Sequence, residues 1–282
     1  MRIRDVMSRD VVTVDVQDGI GHAVRLMDSN QVRHLPVLRD GFLVGVVSDR
    51  DLLRASGWTK DGRSAPGSHP TQLGEIMSSP VVHAHVDEDV TSIAVAMVGR
   101  GIGFLPVLND GRIEGVVSEL DVVSAAAKIE RDQRSRSGAN AERVAEHMST
   151  PPCTLRVSGT LQDAVDLCRS DGLRHIPILD EDNCLVGILT DRDLRRALGQ
   201  DRSFGTTVDE LMTSDPITID SEAALTTAAD LVILHRIGCL PVTSGNMLVG
   251  ILTVTDLLED ALERLGDDEG LPQDMAKRSA ED

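Results

Sequence analysis

Gly45-Val46-Val47-Ser48-Asp49-Arg50-Asp51 decides the fold, because its pattern, Gly-apolar-apolar-Ser/Thr-x-x-Asp, returns three times along the chain. It reads Gly115-Val116-Val117-Ser118-Glu119-Leu120-Asp121, then Gly187-Ile188-Leu189-Thr190-Asp191-Arg192-Asp193, then Gly250-Ile251-Leu252-Thr253-Val254-Thr255-Asp256. The closing aspartates stand 70, 72 and 63 residues apart. A second mark keeps step upstream: Leu35-Pro36-Val37, Leu105-Pro106-Val107, Ile176-Pro177-Ile178 and Leu240-Pro241-Val242. A third opens each repeat: Val6-Met7-Ser8, Ile76-Met77-Ser78, His147-Met148-Ser149 and Leu211-Met212-Thr213. Three marks in fixed order, four times over, define four repeated units.

The units come in two kinds. Units one and three share Arg33-His34 with Arg174-His175, and Asp49-Arg50-Asp51-Leu52 with Asp191-Arg192-Asp193-Leu194. Units two and four share Ile102-Gly103 with Ile237-Gly238 just before the Leu-Pro-Val mark. The chain is a doubled pair. Unit one spans 1–55, a Gly/Pro/Ser linker 56–70, unit two 71–127, a polar linker between the pairs 128–142, unit three 143–200 and unit four 206–262. An acidic tail, 263–282, follows; from Gly266 it carries six acids against two bases, which predicts disorder.

Within a unit the periodicities alternate between strand and helix. In unit one, Val11 to Val14 reads as a short strand, and Asp18 as the cap of a helix with Ile20, Val24 and Met27 on one face. Asn30 ends that helix. His34 to Leu38 and Phe42 to Val47 are strands joined through Arg39-Asp40-Gly41, and Ser48 caps a second helix, Asp49 to Ala55. The fold class is α/β: four β-α-β-β-α units arranged as two pseudo-twofold-related pairs. A unit of this size buries little core alone, so pairing follows.

Composition narrows the function. The 282 residues carry 28 Lys+Arg against 46 Asp+Glu, a net charge of −18, which disfavours nucleic acid as a partner. Aromatics are 1% and tyrosine is absent, so base-stacking platforms and aromatic cages are excluded as a main strategy. No apolar run approaches a membrane span, and Met1 to Asp10 carries no signal-like apolar stretch, so the expected location is cytoplasmic. Cys153, Cys168, Cys184 and Cys239 form no C-x-x-C pair and read as reduced, half-buried small hydrophobes. His83 and His85 share one strand face but lack a third ligand, so no metal is expected.

The recurring pattern resembles the CBS domain, named for cystathionine β-synthase, over nearly the whole chain outside linkers and tail. The resemblance implies that two such domains form a Bateman module and that four can close into a flat disc within one chain; further homodimerisation stays open. It also implies adenosine-containing ligands, AMP, ADP, ATP or S-adenosylmethionine, held in the cleft between paired domains, with no other cofactor required.

The chemistry of the motif agrees. A hydroxyl and a carboxylate three residues apart at a helix start lie beside the free N–H groups of that helix. The carboxylate can accept from both ribose hydroxyls, which assigns ribose to Asp51, Asp121, Asp193 and Asp256. Ser48, Ser118, Thr190 and Thr253 take the phosphate side. Arg33, His34 and Arg50 in unit one, with Arg174, His175 and Arg192 in unit three, add positive charge there, so phosphate-bearing ligands should favour the sites these units serve. Adenine would lie near Met7, Ser8, Ser79, Pro80, Val81, Met148, Ser149, Met212 and Thr213. The same Ser/Thr-x-x-Asp string is also close to a capping box, which needs no ligand.

Catalysis is disfavoured: the four units use up the chain, and no P-loop, Ser-His-Asp arrangement or H-E-x-x-H string is present. Two functions remain. One is a ligand-sensing regulator of an unidentified protein target; the other is a constitutive interaction scaffold with empty sites.

Overall fold

The computed structural model describes residues 1–55, 72–137, 142–170, 172–199 and 202–267. Unit one runs β1 (Val14–Asp15), α1 (Ile20–Asn30), β2 (His34–Arg39), β3 (Phe42–Ser48) and α2 (Asp49–Ala55). Unit two repeats it as β4 (Ala84–His85), α3 (Val90–Arg100), β5 (Phe104–Asn109), β6 (Arg112–Ser118) and α4 (Glu119–Ser137). Unit three holds β7 (Leu155–Arg156), α5 (Leu161–Ser170), β8 (His175–Leu179), β9 (Leu185–Thr190) and α6 (Asp191–Gly199). Unit four follows with β10 (Thr213–Ser214), β11 (Ile219–Asp220), α7 (Leu225–His235), β12 (Cys239–Ser244), β13 (Met247–Thr253) and α8 (Val254–Asp267).

In every unit a two-residue strand pairs parallel to the Leu-Pro-Val strand, which pairs antiparallel to the strand of the Gly-apolar-apolar mark. The Leu-Pro-Val residues are the floor of each core: Leu35, Val37, Leu105, Val107, Ile176, Ile178, Leu240 and Val242 are all buried. Pro36 and its counterparts lie inside these strands, not at their edges.

The opening segments do not pack on their own units. Ser8 pairs with Val116 of unit two, and Ser78 with Val46 of unit one. Likewise Ser149 pairs with Ile251 of unit four, while β10, the opening of unit four, adds to the edge of β9 in unit three. Ile3 therefore belongs to the apolar core of unit two and Leu73 to that of unit one. This exchange locks one to two and three to four.

The exchange also explains the glycine. A side chain on Gly115 would meet Met7 Sδ at 2.7 Å and the Ser8 carbonyl at 2.8 Å; one on Gly250 would meet Met148 Sδ at 2.5 Å. Met77 covers Gly45 and Met212 covers Gly187 in the same way. The first and third marks are thus two halves of one contact, each methionine filling the space a side chain would take on the partner unit's strand.

The two pairs dock within the chain, one with three and two with four. Units two and four share one continuous apolar core, in which α4 and α8 pack together and α3 and α7 join them. Units one and three keep separate cores and touch through α2 and α6.

Five readings of the sequence need correction. The first strand is Val14–Asp15, shorter than Val11 to Val14, because only these residues reach β2. Asp18 does not cap α1; its Oδ2 accepts from the Asp15 N–H at 2.8 Å, closing the turn, and Gly19 is the cap residue. Residues 128–137, read as linker, continue α4 to Ser137, and residues 263–267, read as the start of a disordered tail, likewise continue α8 to Asp267. Cys153 and Cys184 are exposed, Cys168 is half-buried and only Cys239 is buried; none of the four is in a disulfide. The linker 56–70 and the tail beyond 267 lie outside the described residues.

Candidate functional site

Each Ser/Thr-x-x-Asp string forms a reciprocal cap at the junction of its strand and helix. In unit one, Ser48 Oγ donates to Asp51 Oδ2 at 2.6 Å, the Ser48 N–H donates to the same oxygen at 2.8 Å, and the Asp51 N–H returns to Ser48 Oγ at 3.3 Å. Ser118 with Asp121, Thr190 with Asp193 and Thr253 with Asp256 repeat all three bonds. The aspartates are half-buried, and both bonds that each carboxylate accepts in the cap fall on Oδ2. Oδ1 stands outside the cap in all four. The hydroxyl proton is committed to the carboxylate, so the hydroxyl faces a ligand chiefly as an acceptor.

The exchange of opening segments brings the other expected residues to these caps. Ser78 pairs with Val46, two residues before Ser48, and so carries Ser79-Pro80-Val81 to the edge of the unit-one cap. Met7 and Ser8 reach the Ser118–Asp121 cap through Val116, and Met148 and Ser149 reach Thr253–Asp256 through Ile251. Met212 and Thr213 reach Thr190–Asp193 through Ile188. Each cleft is therefore built from one unit's carboxylate and its partner's Met-Ser/Thr segment. The methionines themselves are spent on the glycines beneath them.

The charged residues of units one and three gather where the pairs meet. His34 stacks on Phe104 with ring centroids 4.8 Å apart and planes 9° from parallel. Burial, reinforced by Arg174 and Arg33, pulls the His34 imidazole down to about 4. Burial and Arg33 do the same to His175, also to about 4. Both rings are neutral at pH 7, and His175 Nε2 is buried without a hydrogen bond among the described residues.

Arg33 and Arg174 lean across to the other pair. Arg174 Nη1 is 4.0 Å from Glu119 Oε2 in unit two. A side chain on Gly238 in unit four would stand 3.5 Å from Arg33 Nη1 and 2.7 Å from His175 Nε2. Arg50 and Arg192 do something sequence reasoning did not foresee: Arg50 Nη2 donates to the Gly172 carbonyl at 3.1 Å and Arg192 Nη2 to the Gln31 carbonyl at 3.5 Å. They tie units one and three together through the carbonyls where the first helix of each unit ends.

Arg195, also unforeseen, lies 5% exposed between two acids. Its Nη2 meets Asp28 Oδ1 at 2.6 Å, and its Nε stands 2.8 Å from Asp49 Oδ1. The second contact is an ion pair set off the hydrogen-bond axis, since neither atom makes a proper hydrogen bond there. Burial pushes the Asp49 carboxyl up to about 6 despite Arg195. Only a local excess of Arg in α6 hinted at this contact. Burial likewise pushes the thiols of Cys168 and Cys239 up to about 12, which makes them unreactive.

With this geometry in hand, comparison with known proteins is direct. The CBS domain family profile matches residues 3–57, 73–128, 144–200 and 208–263, and the chain belongs to the CBS domain family. Protein MJ1225 of Methanocaldococcus jannaschii is 24% identical over 277 residues, covering 89% of this chain and 95% of that one. Its crystal structure, described as that of a candidate archaeal homolog of g-AMPK, superposes with a TM-score of 0.78 at 23% identity, over 92% of this chain and 99% of that one. An uncharacterized conserved protein of Pyrococcus horikoshii superposes at 0.61, 18% identical, over 93% and 100%. These structural likenesses show the fold. Inosine-5'-monophosphate dehydrogenase of Mycobacterium tuberculosis is 32% identical over 186 residues, 64% of this chain but 30% of the enzyme. Among the described residues no helix is long and apolar enough to cross a membrane.

Proposed function

We propose that the protein is a non-catalytic cytoplasmic sensor that binds adenosine-containing ligands, AMP, ADP, ATP or S-adenosylmethionine, in the clefts between paired CBS domains, and passes occupancy to a protein target. The observation that carries this reading is the convergence in each cleft. A half-buried aspartate with one oxygen outside its cap stands beside the opening segment of the partner unit. Asp51, Asp121, Asp193 and Asp256 would accept from ribose hydroxyls through Oδ1. Adenine would meet the backbone of Ser79-Pro80-Val81 and its counterparts.

The four clefts differ in charge. The residue after the hydroxyl is Asp49, Glu119 and Asp191 in units one to three, but Val254 in unit four. Arg33 and His175 converge beside Gly238, whose carbonyl accepts from the Val254 N–H at 3.0 Å. A phosphate should therefore favour the Thr253–Asp256 cleft, where an arginine approaches and the residue after the hydroxyl is apolar; the acid that does reach it, Glu119, accepts from Thr255 Oγ1 at 3.2 Å and lies 4.0 Å from Arg174. This revises the expectation that units one and three would hold phosphates themselves, since Arg50 and Arg192 are engaged between those units.

A second reading, a scaffold with empty clefts, is favoured by one fact: all four caps are complete without a ligand. A thermal-shift panel separates the two. A ligand at about 100 times its Kd adds roughly 2.7 kcal/mol, a shift of several degrees. The sensor requires such a shift from at least one adenosine compound; a flat response across the panel supports the scaffold.

A further inference from the structure

The repeat is broken at two places that touch, one in unit three and one in unit four. The residue before the opening methionine is Val6, Ile76 and Leu211 in units one, two and four, each packed against an apolar core, but His147 in unit three. Seven residues after the capping hydroxyl the other units carry Ala55, Ala125 and Ala197, all buried, whereas unit four carries Asp260. Because opening segments are exchanged, these two departures fall on one contact. His147 Nδ1 lies 3.6 Å from Asp260 Oδ1 on α8.

A third acid completes the group. Glu142 Oε2 is 3.1 Å from His147 Nε2, and one ligand atom from each of the three residues lies within 4.8 Å of the others. Two segments distant in sequence thus replace an apolar–alanine contact with an imidazole and two carboxylates. Asp260 is only 10% exposed and His147 21%, while Glu142, at 45%, faces the solvent side.

We propose that Glu142, His147 and Asp260 form a binding site for a divalent transition cation of the zinc class. Ligand atoms around a tetrahedral zinc stand about 3.4 Å apart; the two carboxylates face different nitrogens of the ring, so one of them must swing to the nitrogen that takes the ion, within a group already spanning no more than 4.8 Å. An imidazole nitrogen disfavours magnesium and calcium, which want oxygen alone. Two carboxylates match the charge of a dication, and water reaches the remaining position from the Glu142 side. The ion would fasten the segment that leads into unit three, seated on unit four through Met148 over Gly250, to α8 one turn beyond Asp256. None of the three residues is among those assigned to the clefts, although His147 and Asp260 stand beside the residues of the Thr253–Asp256 cleft.

The test is zinc binding by the full chain, stripped of metal by a chelator and followed by calorimetry and thermal shift. His147→Leu with Asp260→Ala restores the contact found in the other three units, so this variant folds and serves as the reference. The proposal expects about one equivalent of zinc to raise the melting temperature of the protein, and the double variant to bind it more than about tenfold more weakly. Cobalt(II) at the first equivalent should show nitrogen and oxygen ligation without a thiolate band. Equal zinc affinity in protein and double variant, no binding at micromolar zinc, or a thiolate band from Cys153 or Cys184 would each overturn it.

Discussion

The two pairs of units meet through two unlike interfaces. Units two and four meet through α4 and α8, 19 and 14 residues long, around a shared core that includes Val122, Val123, Leu257 and Leu258. Units one and three meet through α2 and α6, seven and nine residues long, with arginines on backbone carbonyls and on buried acids. Apolar burial is indifferent to small rotations, whereas each polar contact depends on distance and angle. The odd interface, set where Arg33, Arg174 and both buried histidines gather, is the one that can respond to charge.

That contrast can be broken first at Arg195. Arg195→Ala leaves Asp49 buried without its cation and should cost about 3–5 kcal/mol, measured by urea denaturation. Asp28→Ala, on the exposed end of the same arginine, should cost less than about 1 kcal/mol. Comparable losses from the two would mean that Asp49 is not the partner that matters.

Leu258→Ala attacks the other interface. Leu258 is fully buried in the core that units two and four share, and its truncation should cost about 2–5 kcal/mol. Hydrogen exchange should then show α4 and α8 losing protection together while α2 and α6 keep theirs. Loss confined to unit four would show that the core is divided after all.

Acid should act on the odd interface alone. His34 and His175 fall from 6.5 to about 4 on folding, so between these values the unfolded chain takes up two protons that the folded one refuses. Stability from them is full above pH 6.5 and lost as the pH falls toward 4. Asp49 runs the other way: raised from 3.8 to about 6, it takes up its proton first in the folded state and regains stability over that window. Two groups outweigh one, so the net change from pH 7 to 4.5 is a loss of roughly a few kcal/mol. Melting temperatures of His34→Gln/His175→Gln across that range should be flatter than those of the unaltered chain.

Much of this was legible in the sequence because it is local. The Ser48–Asp51 cap, the hairpin around Asp40-Gly41 and the α2 boundaries follow from residues a few positions apart. The marks also showed the pairing of units. What they could not show is that Met7 and Gly115, 108 residues apart, are a single contact. Nor could they place Arg50 on a carbonyl 122 residues away. Such contacts depend on which unit faces which, and the interface decides it. α4 ran past its expected end because a polar, arginine-rich stretch is a good helix former even without an apolar face. Asp18 looked like a cap by type and position, yet the turn before Gly19 claimed its carboxylate.

The central claim is that the cap aspartates hold a ligand besides their helix. Asp256→Asn keeps an oxygen for the cap at Thr253 and removes the charge offered to ribose. The direct measurement is calorimetric titration of AMP and ATP into the protein and into this variant, with melting temperatures recorded alongside. The account predicts binding by the protein, affinity lower by about 1–3 kcal/mol in the variant and an unchanged unliganded melting temperature. Equal affinity in the two, or a lowered melting temperature with no change in binding, would leave Asp256 a helix cap and nothing more.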